Sequence, residues 1–466
     1  MTGYPGHILD LVEPRLASGR TAILDRTGTL TYAELDTLSA ATAAALAERG
    51  IGDGDPVVVH ARLSRWAVVG MLGVLRAGAR YVPVDALFPP NRQRYLAQAS
   101  GATVAVAEPG LPQPLPGLAY VDLDDLPDER VTRRGRLAYT CFTSGSTGRP
   151  KGVTVSASAL AYSTAARIAV YPDPVRAFLL CSSISFDSSV AGIYWTLACG
   201  GTLVIPCDRA ADLVTLGRAA RRHRPSHLLL LPSLYSVALR GGLAGDLAGL
   251  STVIVAGEAC PPALVGEHYR HLPAARLYNE YGPTEYTVWT TVHACTPADA
   301  EGRTVPIGRP IPGTTIRVAD DVLHVAGPGL AELETIARHD LDGVPYHRTG
   351  DLVTRREDGV LHWLGREDDQ LKLGGVRLER AEVEHALATA PGVAAAGVGV
   401  AGGQLVGYVA LSEPGRLDRA AVRRHILSSL PAAALPARLV AVDALPTHPN
   451  GKIDHATLDR RAAAST

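Results

Sequence analysis

Lysine is the residue type that this sequence most clearly lacks. The 466 residues include 45 lysines and arginines, but only three of them are lysines: Lys151, Lys372 and Lys452. Arginine therefore fills almost every cationic position. A compact, strongly hydrated ammonium group has uses for which a planar guanidinium does not substitute. We expect the retained lysines to mark such uses, and their retention by chance is the alternative.

Metal-binding cysteine pairs and long apolar runs are also missing. The six cysteines show no CxxC spacing, which predicts a reduced protein without structural zinc. The apolar stretch at residues 228–231 ends at Pro232 and is too short to span a bilayer. No apolar segment typical of a signal peptide follows the start. A net charge of −1 gives no reason to expect nucleic acid or an anionic membrane as partner. We therefore expect a cytoplasmic protein.

Short apolar runs alternate with helical patterns over the first three quarters of the chain. The runs predict strands at residues 56–60, 81–84, 103–107, 137–140, 177–181, 202–206, 227–231 and 252–256. Helical spacing lies between several of them, at residues 64–77, 212–223 and 261–271. This alternation predicts an α/β protein with largely parallel sheets.

The last hundred residues have a different pattern. Short strands at 370–373, 394–400 and 405–411 are mixed with helices near 380–390 and 418–430. The charged segment 365–370 joins the two regions. We therefore predict two domains, with a nucleotide-binding core at 1–367 and a small mobile α+β lid at 368–466.

A loop rich in glycine and hydroxyl residues follows the strand predicted at 137–140. It reads Thr143-Ser144-Gly145-Ser146-Thr147-Gly148-Arg149-Pro150-Lys151-Gly152. Small residues leave backbone N–H groups free to surround an anion, the hydroxyls add donors, and the lysine adds positive charge. The loop is not a Walker A motif, in which lysine directly follows the second glycine. The pattern predicts a phosphate site, and a flexible turn is the alternative.

Further motifs follow in a fixed order along the chain. They are Leu30-Thr31-Tyr32-Ala33-Glu34-Leu35, residues 75–85 (LRAGARYVPVD), residues 279–285 (NEYGPTE), residues 346–352 (YHRTGDL), residues 365–370 (GREDDQ) and residues 449–454 (PNGKID). With the phosphate loop, they resemble the adenylate-forming superfamily of acyl-CoA synthetases, luciferases and peptide-synthetase adenylation domains. The resemblance covers essentially the whole chain. It implies a large N-terminal domain of parallel-rich αβα sheets plus a small barrel-like sheet, and a small C-terminal α+β lid domain.

The resemblance also implies how ATP and Mg²⁺ are bound. The phosphate loop would hold the β- and γ-phosphates, Thr284 the α-phosphate and Glu285 the Mg²⁺ ion. Adenine would stack on Tyr281, and Asp351 would accept hydrogen bonds from the ribose hydroxyls. The alternative for residues 281–283 is a tight turn. The implied ATP-binding residues are Thr143, Ser144, Gly145, Ser146, Thr147, Gly148, Lys151, Gly257, Glu258, Ala259, Asn279, Tyr281, Gly282, Thr284, Asp351 and Arg366.

The implied catalytic residues are Lys452, Thr143 and Glu285. Lys452 would bridge the substrate carboxylate and the α-phosphate from the lid domain. Asp368 matches the family's hinge position, although its chemistry alone fits any acid of a solvated linker. Rotation at this hinge would withdraw Lys452 after a carboxylate has been activated to an acyl-AMP with release of pyrophosphate.

Asp187 indicates which carboxylic acid is activated. It resembles the aspartate that binds the α-ammonium group of an amino acid in peptide synthetases. A helix N-cap is the alternative reading. The family's pocket positions correspond to Asp187, Ser188, Ala191, Leu230, Ile254, Ala256, Glu280, Val288, Trp289 and Lys452.

Most of these positions are apolar, and Glu280 is the exception. A carboxylate on an apolar wall needs a partner, such as an imidazole N–H, a phenol or a cation, unless it points away from the pocket. Trp289 offers a flat face for a ring or a cation. The combination resembles the pockets of histidine-activating domains, so we predict L-histidine, with tyrosine or a basic amino acid as alternatives.

The expected partner is a separate carrier protein whose phosphopantetheine thiol accepts the amino acid. No carrier-like sequence precedes the end at Thr466, so the carrier is expected to act in trans, and a small MbtH-like protein is a further candidate partner. Two features depart from the family pattern: a shortened segment at 319–330, and Gly374 in place of an arginine beside Gly375. An aryl- or fatty-acid-CoA ligase and a non-catalytic nucleotide-binding scaffold are the competing interpretations.

Overall fold

The computed structural model describes residues 3–464, except 114, 144–149, 209–211, 337, 368–369, 374–375, 414–416 and 448–452. The chain divides into two compact units. The first unit comprises Met1–Leu87, Ala97–Cys141 and Gly152–Glu367. The second unit comprises Phe88–Leu96, Phe142–Lys151 and Asp368–Thr466.

The α-helices of the described residues are distributed along the whole chain. They are α1 Leu9–Leu16, α2 Tyr32–Glu48, α3 Arg65–Arg76, α4 Pro90–Ser100, α5 Ala157–Val170, α6 Asp187–Cys199, α7 Leu213–His223, α8 Pro232–Arg240, α9 Pro262–His271, α10 Arg380–Ala388, α11 Arg419–Leu427 and α12 His455–Ala464.

The strands are mostly short. They are β1 Thr21–Asp25, β2 Gly28–Thr31, β3 Pro56–Ala61, β4 Arg80–Asp85, β5 Val104–Ala107, β6 Ala119–Asp122, β7 Leu137–Thr143, β8 Lys151–Ser156, β9 Ala177–Leu179, β10 Thr202–Val204, β11 His227–Leu230, β12 Thr252–Ala256, β13 Arg276–Tyr281, β14 Thr291–Ala294, β15 Arg309–Pro310, β16 Thr315–Ala319, β17 Val322–Ala326, β18 Arg338–Leu341, β19 Val344–Arg355, β20 Leu361–Arg366, β21 Gln370–Leu373, β22 Val376–Glu379, β23 Val393–Ala401, β24 Gln404–Leu411 and β25 Arg438–Ala441.

The largest sheet has nine strands in the order β15-β14-β13-β12-β11-β9-β10-β1-β2. Neighbours from β1 to β13 run parallel, and the edge strands β2, β14 and β15 pair antiparallel. All four residues of β11 are buried, as expected for a parallel strand that is covered on both faces. The predicted parallel sheet is confirmed, and the sequence placed its strands correctly because their apolar runs are continuous.

A second sheet has six strands in the order β6-β5-β3-β4-β7-β8, with β3 parallel to both β4 and β5. The motif at residues 30–35 forms the start of helix α2. Thr31 accepts a hydrogen bond from the backbone N–H of Glu34, and the Glu34 carboxylate accepts one from the backbone N–H of Thr31 at 2.7 Å. This capping box explains locally why a helix begins here.

The third sheet has five strands, in the order β16-β17-β19-β18 with β20 on β19, and all of its pairs are antiparallel. It occupies the region expected to hold the small barrel-like sheet. Strands β16 and β17 are joined by Asp320 and Asp321 alone, and both have positive φ angles, of 51° and 61°. Two consecutive residues in this conformation make the tight hairpin turn that matches strand twist.

In the second unit, β21 pairs with β22, and β23, β24 and β25 form a three-stranded sheet. Helix α12 packs on this sheet through Leu458 and Ala462, which share a core cluster with Val406 and Tyr408. The small α+β domain predicted from the sequence is therefore present, with its strands and helices close to their expected bounds.

No helix in the described part of the chain is long and apolar enough to cross a membrane. All six cysteines lie among the described residues, and each is a free thiol. The described residues hold no group of three or more His, Cys, Asp or Glu side chains able to bind a metal ion.

Candidate active site

The candidate substrate pocket lies at the carboxyl ends of parallel strands β12 and β13. Ala256 pairs in register with Glu280, and Ile254 pairs with Tyr278. These residues therefore lie toward the carboxyl-terminal ends of two adjacent strands of the nine-stranded sheet. Ligands of open α/β sheets bind at this edge, because the strands end there and the following loops can diverge. The sheet thus brings together three of the predicted pocket residues, Ile254, Ala256 and Glu280.

Glu280 is a buried carboxylate that the protein itself neutralises. Arg167 donates two hydrogen bonds to it, one to each oxygen, and the bond from Nη2 to Oε2 is 2.9 Å long. The side chains of Arg167 and Glu280 are only 1% and 2% exposed. The hydroxyl of Tyr171 donates a further hydrogen bond to Glu280. Burial, together with this carboxylate, raises the pKa of Tyr171 well above its ordinary value, so the phenol keeps its proton.

The prediction that the Glu280 carboxylate needs a partner from the substrate is therefore wrong. A carboxylate on an apolar wall does need a partner, but the partner is Arg167. Sequence reasoning missed this arginine because it lies 113 positions away, on helix α5. The available signal was an arginine within a segment otherwise rich in alanine and other small or apolar residues, where a guanidinium needs an acid nearby.

Trp289 already carries a cation on its face. The guanidinium carbon of Arg167 lies 4.3 Å from the centre of the Trp289 ring and 5.9 Å from that of Trp195. Tyr171 stacks near Trp289, with ring centres 5.9 Å apart. Trp289 is buried, at 1% exposure. The flat face that the sequence offered to a substrate ring or cation is thus occupied by the same arginine that binds Glu280.

One face of helix α5 contacts both Glu280 and the segment that contains Trp289. Ser163 and Arg167 are four residues apart, so their side chains lie along one side of the helix, and Tyr171 is the C-cap residue that follows it. The Ser163 hydroxyl donates to the Thr287 carbonyl at 2.8 Å. The Ser163 carbonyl accepts from the indole N–H of Trp289 at 3.3 Å. Helix α5 therefore holds both Glu280 and the segment that carries Val288 and Trp289.

The segment after β13 folds back tightly. Thr287 and Val288 have positive φ angles, of 47° and 80°, which are rare for β-branched residues and indicate a strained backbone. A Cβ atom on Gly282 would lie 2.3 Å from the Cα of Trp289, so only glycine fits at this approach. This turn places Val288 and Trp289 beside the end of β13. Its hydrogen bonds, from Tyr286 N–H to the Pro283 carbonyl and from Thr287 N–H to the Thr284 carbonyl, begin only at Pro283, so the turn follows residues 281–283 instead of being formed by them.

Asp187 is the first residue of helix α6, and Phe186 is its N-cap residue. The N-cap alternative for Asp187 is therefore not what the structure shows. Its carboxylate is only partly exposed, and a negative charge in the first turn is stabilised by the helix dipole. Asp187 also lies near β7: after burial, its charge is among the causes that raise the pKa values of Tyr139 and Cys141.

The loop before Asp187 is anchored to the end of strand β4. The Ser185 hydroxyl donates to the Pro83 carbonyl and accepts from the backbone N–H of Asp85, both at 3.0 Å. The Ser183 hydroxyl donates to the Asp85 carboxylate. These bonds fix where helix α6 begins, and hence where Asp187 lies.

The remaining pocket residues are not all on one face. Ala191 is buried in the core cluster that contains Ile254 and Trp289, and Ser188 is half-buried in the first turn of α6. Leu230 belongs to a second cluster, with Val253 and Val255. Since side chains alternate along a strand, the structure does not bring Leu230 to the face of Ile254.

A second group of predicted residues forms around Asp351, which is 2% exposed. Tyr281 donates to one of its carboxylate oxygens at 2.6 Å, and the indole N–H of Trp363 donates to the other at 2.9 Å. Arg366 lies 3.2 Å from the same carboxylate and donates to the Thr349 carbonyl at 3.1 Å. Burial, followed by the Asp351 charge, raises the pKa of Tyr281.

Other predicted nucleotide-binding residues lie within β13 or in the segments that follow β12 and β13. The buried Asn279 donates its amide N–H to the Pro306 carbonyl at 2.8 Å. Glu258 accepts from the backbone N–H of Ser233 at 3.1 Å. Gly257 and Ala259 are exposed after β12, whereas Thr284 and Glu285 start a short 3₁₀ helix, Thr284–Tyr286, in which Glu285 is buried.

Thr143 and Lys151 belong to the second unit. Thr143 is buried at the end of β7, and the exposed Lys151 begins β8. The carbonyl of Pro150 accepts from the Tyr95 hydroxyl at 3.0 Å, which anchors the end of this loop. The predicted residues Ser144, Gly145, Ser146, Thr147, Gly148, Asp368 and Lys452 lie outside the described residues, as do Gly374 and Gly375.

Comparisons with known proteins agree with this geometry. The family model for AMP-binding enzymes matches residues 14–331, and that for the AMP-binding enzyme C-terminal domain matches residues 382–452. The AMB antimetabolite synthetase AmbB of Pseudomonas aeruginosa is 36% identical over 98% of this chain and 39% of its own length. The phosphinothricin tripeptide synthetase PhsC of Streptomyces viridochromogenes is 36% identical over 94% of this chain and 43% of its own.

Among solved structures, holo-PA1221 is an NRPS protein containing adenylation and PCP domains, bound to a vinylsulfonamide inhibitor. It superposes with a TM-score of 0.84 at 26% identity, covering 98% of this chain and 84% of the other. The chain spans about two fifths of the length of AmbB and PhsC. The resemblance seen in the sequence motifs is thereby confirmed, and this chain belongs to the family of AMP-binding enzymes.

Proposed function

We propose that this protein activates an amino acid with ATP, forming an aminoacyl-AMP and pyrophosphate, and passes the aminoacyl group to a carrier-protein thiol. The observation that carries the proposal is Asp187 at the start of helix α6. A partly exposed carboxylate one helical turn before the buried Ala191 suits an α-ammonium group, because their charge-assisted hydrogen bond is roughly twice as strong as a neutral one. An aryl or fatty acid has no group that would use it.

The reaction brings a carboxylate to the phosphate chain of ATP, so the site must hold two anions together. Asp351, whose carboxylate accepts hydrogen bonds from Tyr281 and Trp363, would accept further ones from the ribose hydroxyls. Lys452 would offset charge as the new bond forms. Mg²⁺ would be held by phosphate oxygens and by Glu285, a buried carboxylate in the 3₁₀ helix Thr284–Tyr286, since this ion prefers carboxylate and phosphate oxygens. The ion would neutralise charge on the phosphates.

L-Histidine is the amino acid that we proposed from the pocket residues, and it stays a candidate. Its imidazole is largely neutral above pH 6.5, so it does not add a charge to the wall. Its original support was a Glu280 carboxylate that needed a partner, and Arg167 and Tyr171 supply that partner. The family resemblance of the pocket residues is the support that remains.

A separate carrier protein is the proposed acceptor of the aminoacyl group. The adenylation and PCP domains of PA1221 support this partnership by analogy, since the fold is shared over 98% of this chain. An MbtH-like protein is kept as a second candidate partner.

ATP–pyrophosphate exchange tests the proposal. The full chain is assayed, with and without a co-expressed MbtH-like protein, against the twenty amino acids and several aryl and fatty acids. Exchange with one amino acid, lost in Asp187→Asn, is expected. Exchange only with aryl or fatty acids would make a CoA ligase the better reading. Absence of exchange with every acid would favour a non-catalytic scaffold.

A further inference from the structure

We infer that Arg167 is a specificity-determining positioning residue: it neutralises Glu280 and thereby restricts the pocket to amino acids with uncharged side chains. The inference rests on the proposed amino-acid activation and names its substrate class. It excludes the basic amino acids that the sequence alone left open. Arg167 stands outside the ten pocket positions identified from the sequence.

The geometry of the pair leaves little capacity for a charged substrate. The two terminal nitrogens of the Arg167 guanidinium, Nη1 and Nη2, each donate to one oxygen of Glu280, and the Tyr171 hydroxyl donates to one of these oxygens. The pair is therefore electrically neutral as a whole. With side-chain exposures of 1% and 2%, neither charge can be compensated by water if its partner is withdrawn. Leaving one charge of a buried ion pair without its partner is strongly destabilising, so a substrate cation would have to offset that cost.

Arg167 also occupies the place where a substrate cation would bind to aromatic rings. It lies above Trp289 at 4.3 Å and near Trp195 at 5.9 Å. A lysine or ornithine side chain directed at Glu280 or Trp289 would meet a guanidinium that cannot lose its proton in a protein. Like charges so placed repel strongly where water is excluded.

An uncharged side chain meets no such penalty. The rest of the wall is apolar and includes Ala191, Ile254 and Val288, and it gains free energy from covering an apolar or aromatic group. An acidic side chain would compete with Glu280 for Arg167 and would face the same desolvation cost. Selectivity for uncharged side chains follows from the neutral pair.

The test is ATP–pyrophosphate exchange by the full chain with L-ornithine, L-lysine and L-arginine against the uncharged amino acids, at pH 7.5. In wild type, the best substrate should be uncharged. In Arg167→Gln, the Glu280 carboxylate loses its cation, and kcat/KM for L-ornithine relative to the best uncharged substrate should rise about tenfold or more. If Arg167 had a purely structural role, the substitution would lower kcat/KM for all substrates together and leave this ratio unchanged.

Three controls separate charge from packing. Arg167→Lys keeps a cation beside Glu280 and should keep the wild-type ratio. The double variant Arg167→Met with Glu280→Gln removes both charges, so it should also show no gain for ornithine. Arg65→Gln breaks another buried arginine–carboxylate pair, with Asp25, whose side chains are 12% and 4% exposed, and should not change selectivity.

If Arg167→Gln does not fold, Glu280→Gln tests the same pair by removing the carboxylate instead of the guanidinium. It leaves Arg167 without its acid and should raise exchange with L-aspartate and L-glutamate relative to uncharged substrates. A wild-type preference for ornithine, lysine or arginine would overturn the inference while leaving amino-acid activation intact. An unchanged ratio in both Arg167→Gln and Glu280→Gln would overturn it as well. Exchange with no amino acid at all would instead overturn the proposed function, and the inference with it.

Discussion

The hydroxyl of Tyr281 donates a hydrogen bond of 2.6 Å to the carboxylate of Asp351, although the two residues are 70 positions apart. The phenol lies on the last residue of β13 in the nine-stranded sheet, whereas the acid lies on β19 of the five-stranded sheet. One hydrogen bond thus joins two of the motifs that the sequence presented separately. It holds the Asp351 carboxylate in one orientation.

Tyr281→Phe should weaken nucleotide binding through Asp351. The variant keeps the aromatic ring proposed to stack on adenine but removes the donor to a buried carboxylate, a loss of about 1.5–3 kcal/mol for a hydrogen bond to a charged group. We expect a higher KM for ATP, an unchanged KM for the amino acid and a lower midpoint of urea unfolding. Steady-state exchange at varied ATP and urea titration measure these quantities. An ATP KM equal to that of wild type would show that Asp351 is positioned without Tyr281.

Gly282→Ala should disturb the pocket wall. Its Cβ would lie 2.3 Å from the Cα of Trp289 and 2.6 Å from the Val288 carbonyl oxygen. These obstacles are backbone atoms, so the segment itself must move, and overpacking of this kind costs about 1–3 kcal/mol. We expect a lower unfolding midpoint and a higher KM for the amino acid.

Gly245→Ala is the matched control for this substitution. A Cβ at Gly245 would meet nothing within 4 Å, so the variant should behave like wild type in both measurements. If Gly282→Ala also unfolds like wild type with an unchanged amino-acid KM, the close approach does not position Trp289.

His227 should make the stability of the first unit depend on pH. Its ring is buried against Trp195, with ring centres 5.0 Å apart, and burial lowers its pKa from 6.5 to about 4. Between these values the unfolded chain binds a proton that the folded chain does not, so the free energy of unfolding falls as the pH decreases from about 6.5 to 4. The loss attributable to this group is on the order of 2–3 kcal/mol.

The comparison of wild type with His227→Gln measures this contribution. Other buried histidines, such as His268, also have lowered pKa values and remain in both proteins. The difference between the two urea midpoints should therefore shrink or reverse as the pH falls from 7 to 4. A difference that stays constant over this range would mean that His227 does not titrate as the buried geometry implies.

The sequence predicted the strands and helices well because their signals are local. Continuous apolar runs such as residues 56–60 and 252–256 are close to β3 and β12, since a parallel strand buried on both faces must be apolar throughout. The functional motifs were likewise recognisable as contiguous strings. Both kinds of information are contained within a few neighbouring residues.

The contents of the pocket could not be predicted in the same way. Arg167 carries no motif, and its importance comes from a contact with Glu280 made only in the folded chain. The face that Leu230 presents depends on strand register, because a shift of one residue reverses the side-chain direction. The assignment of a substrate partner to Glu280 was therefore wrong, because a helix that is distant in sequence supplies the partner.

Asp187→Asn gives the most direct test of amino-acid recognition. The change removes the charge but keeps the size of the side chain, and Asp187 is the first residue of α6 rather than its cap. The helix should therefore lose only about 0.3–1 kcal/mol. If the carboxylate binds the α-ammonium group, losing this charged partner should raise the KM for the amino acid by about 100-fold, with the KM for ATP unchanged.

A second readout separates binding of the ammonium group from general damage to the pocket. Wild type should strongly prefer an amino acid to its analogue without the α-amino group, and Asp187→Asn should lose that preference. Asp10→Asn is the control, because Asp10 also lies in the first turn of a helix, α1, and should change only stability. If Asp187→Asn keeps the preference for the amino acid, the α-ammonium group must be recognised by another residue, and the role assigned to Asp187 is wrong.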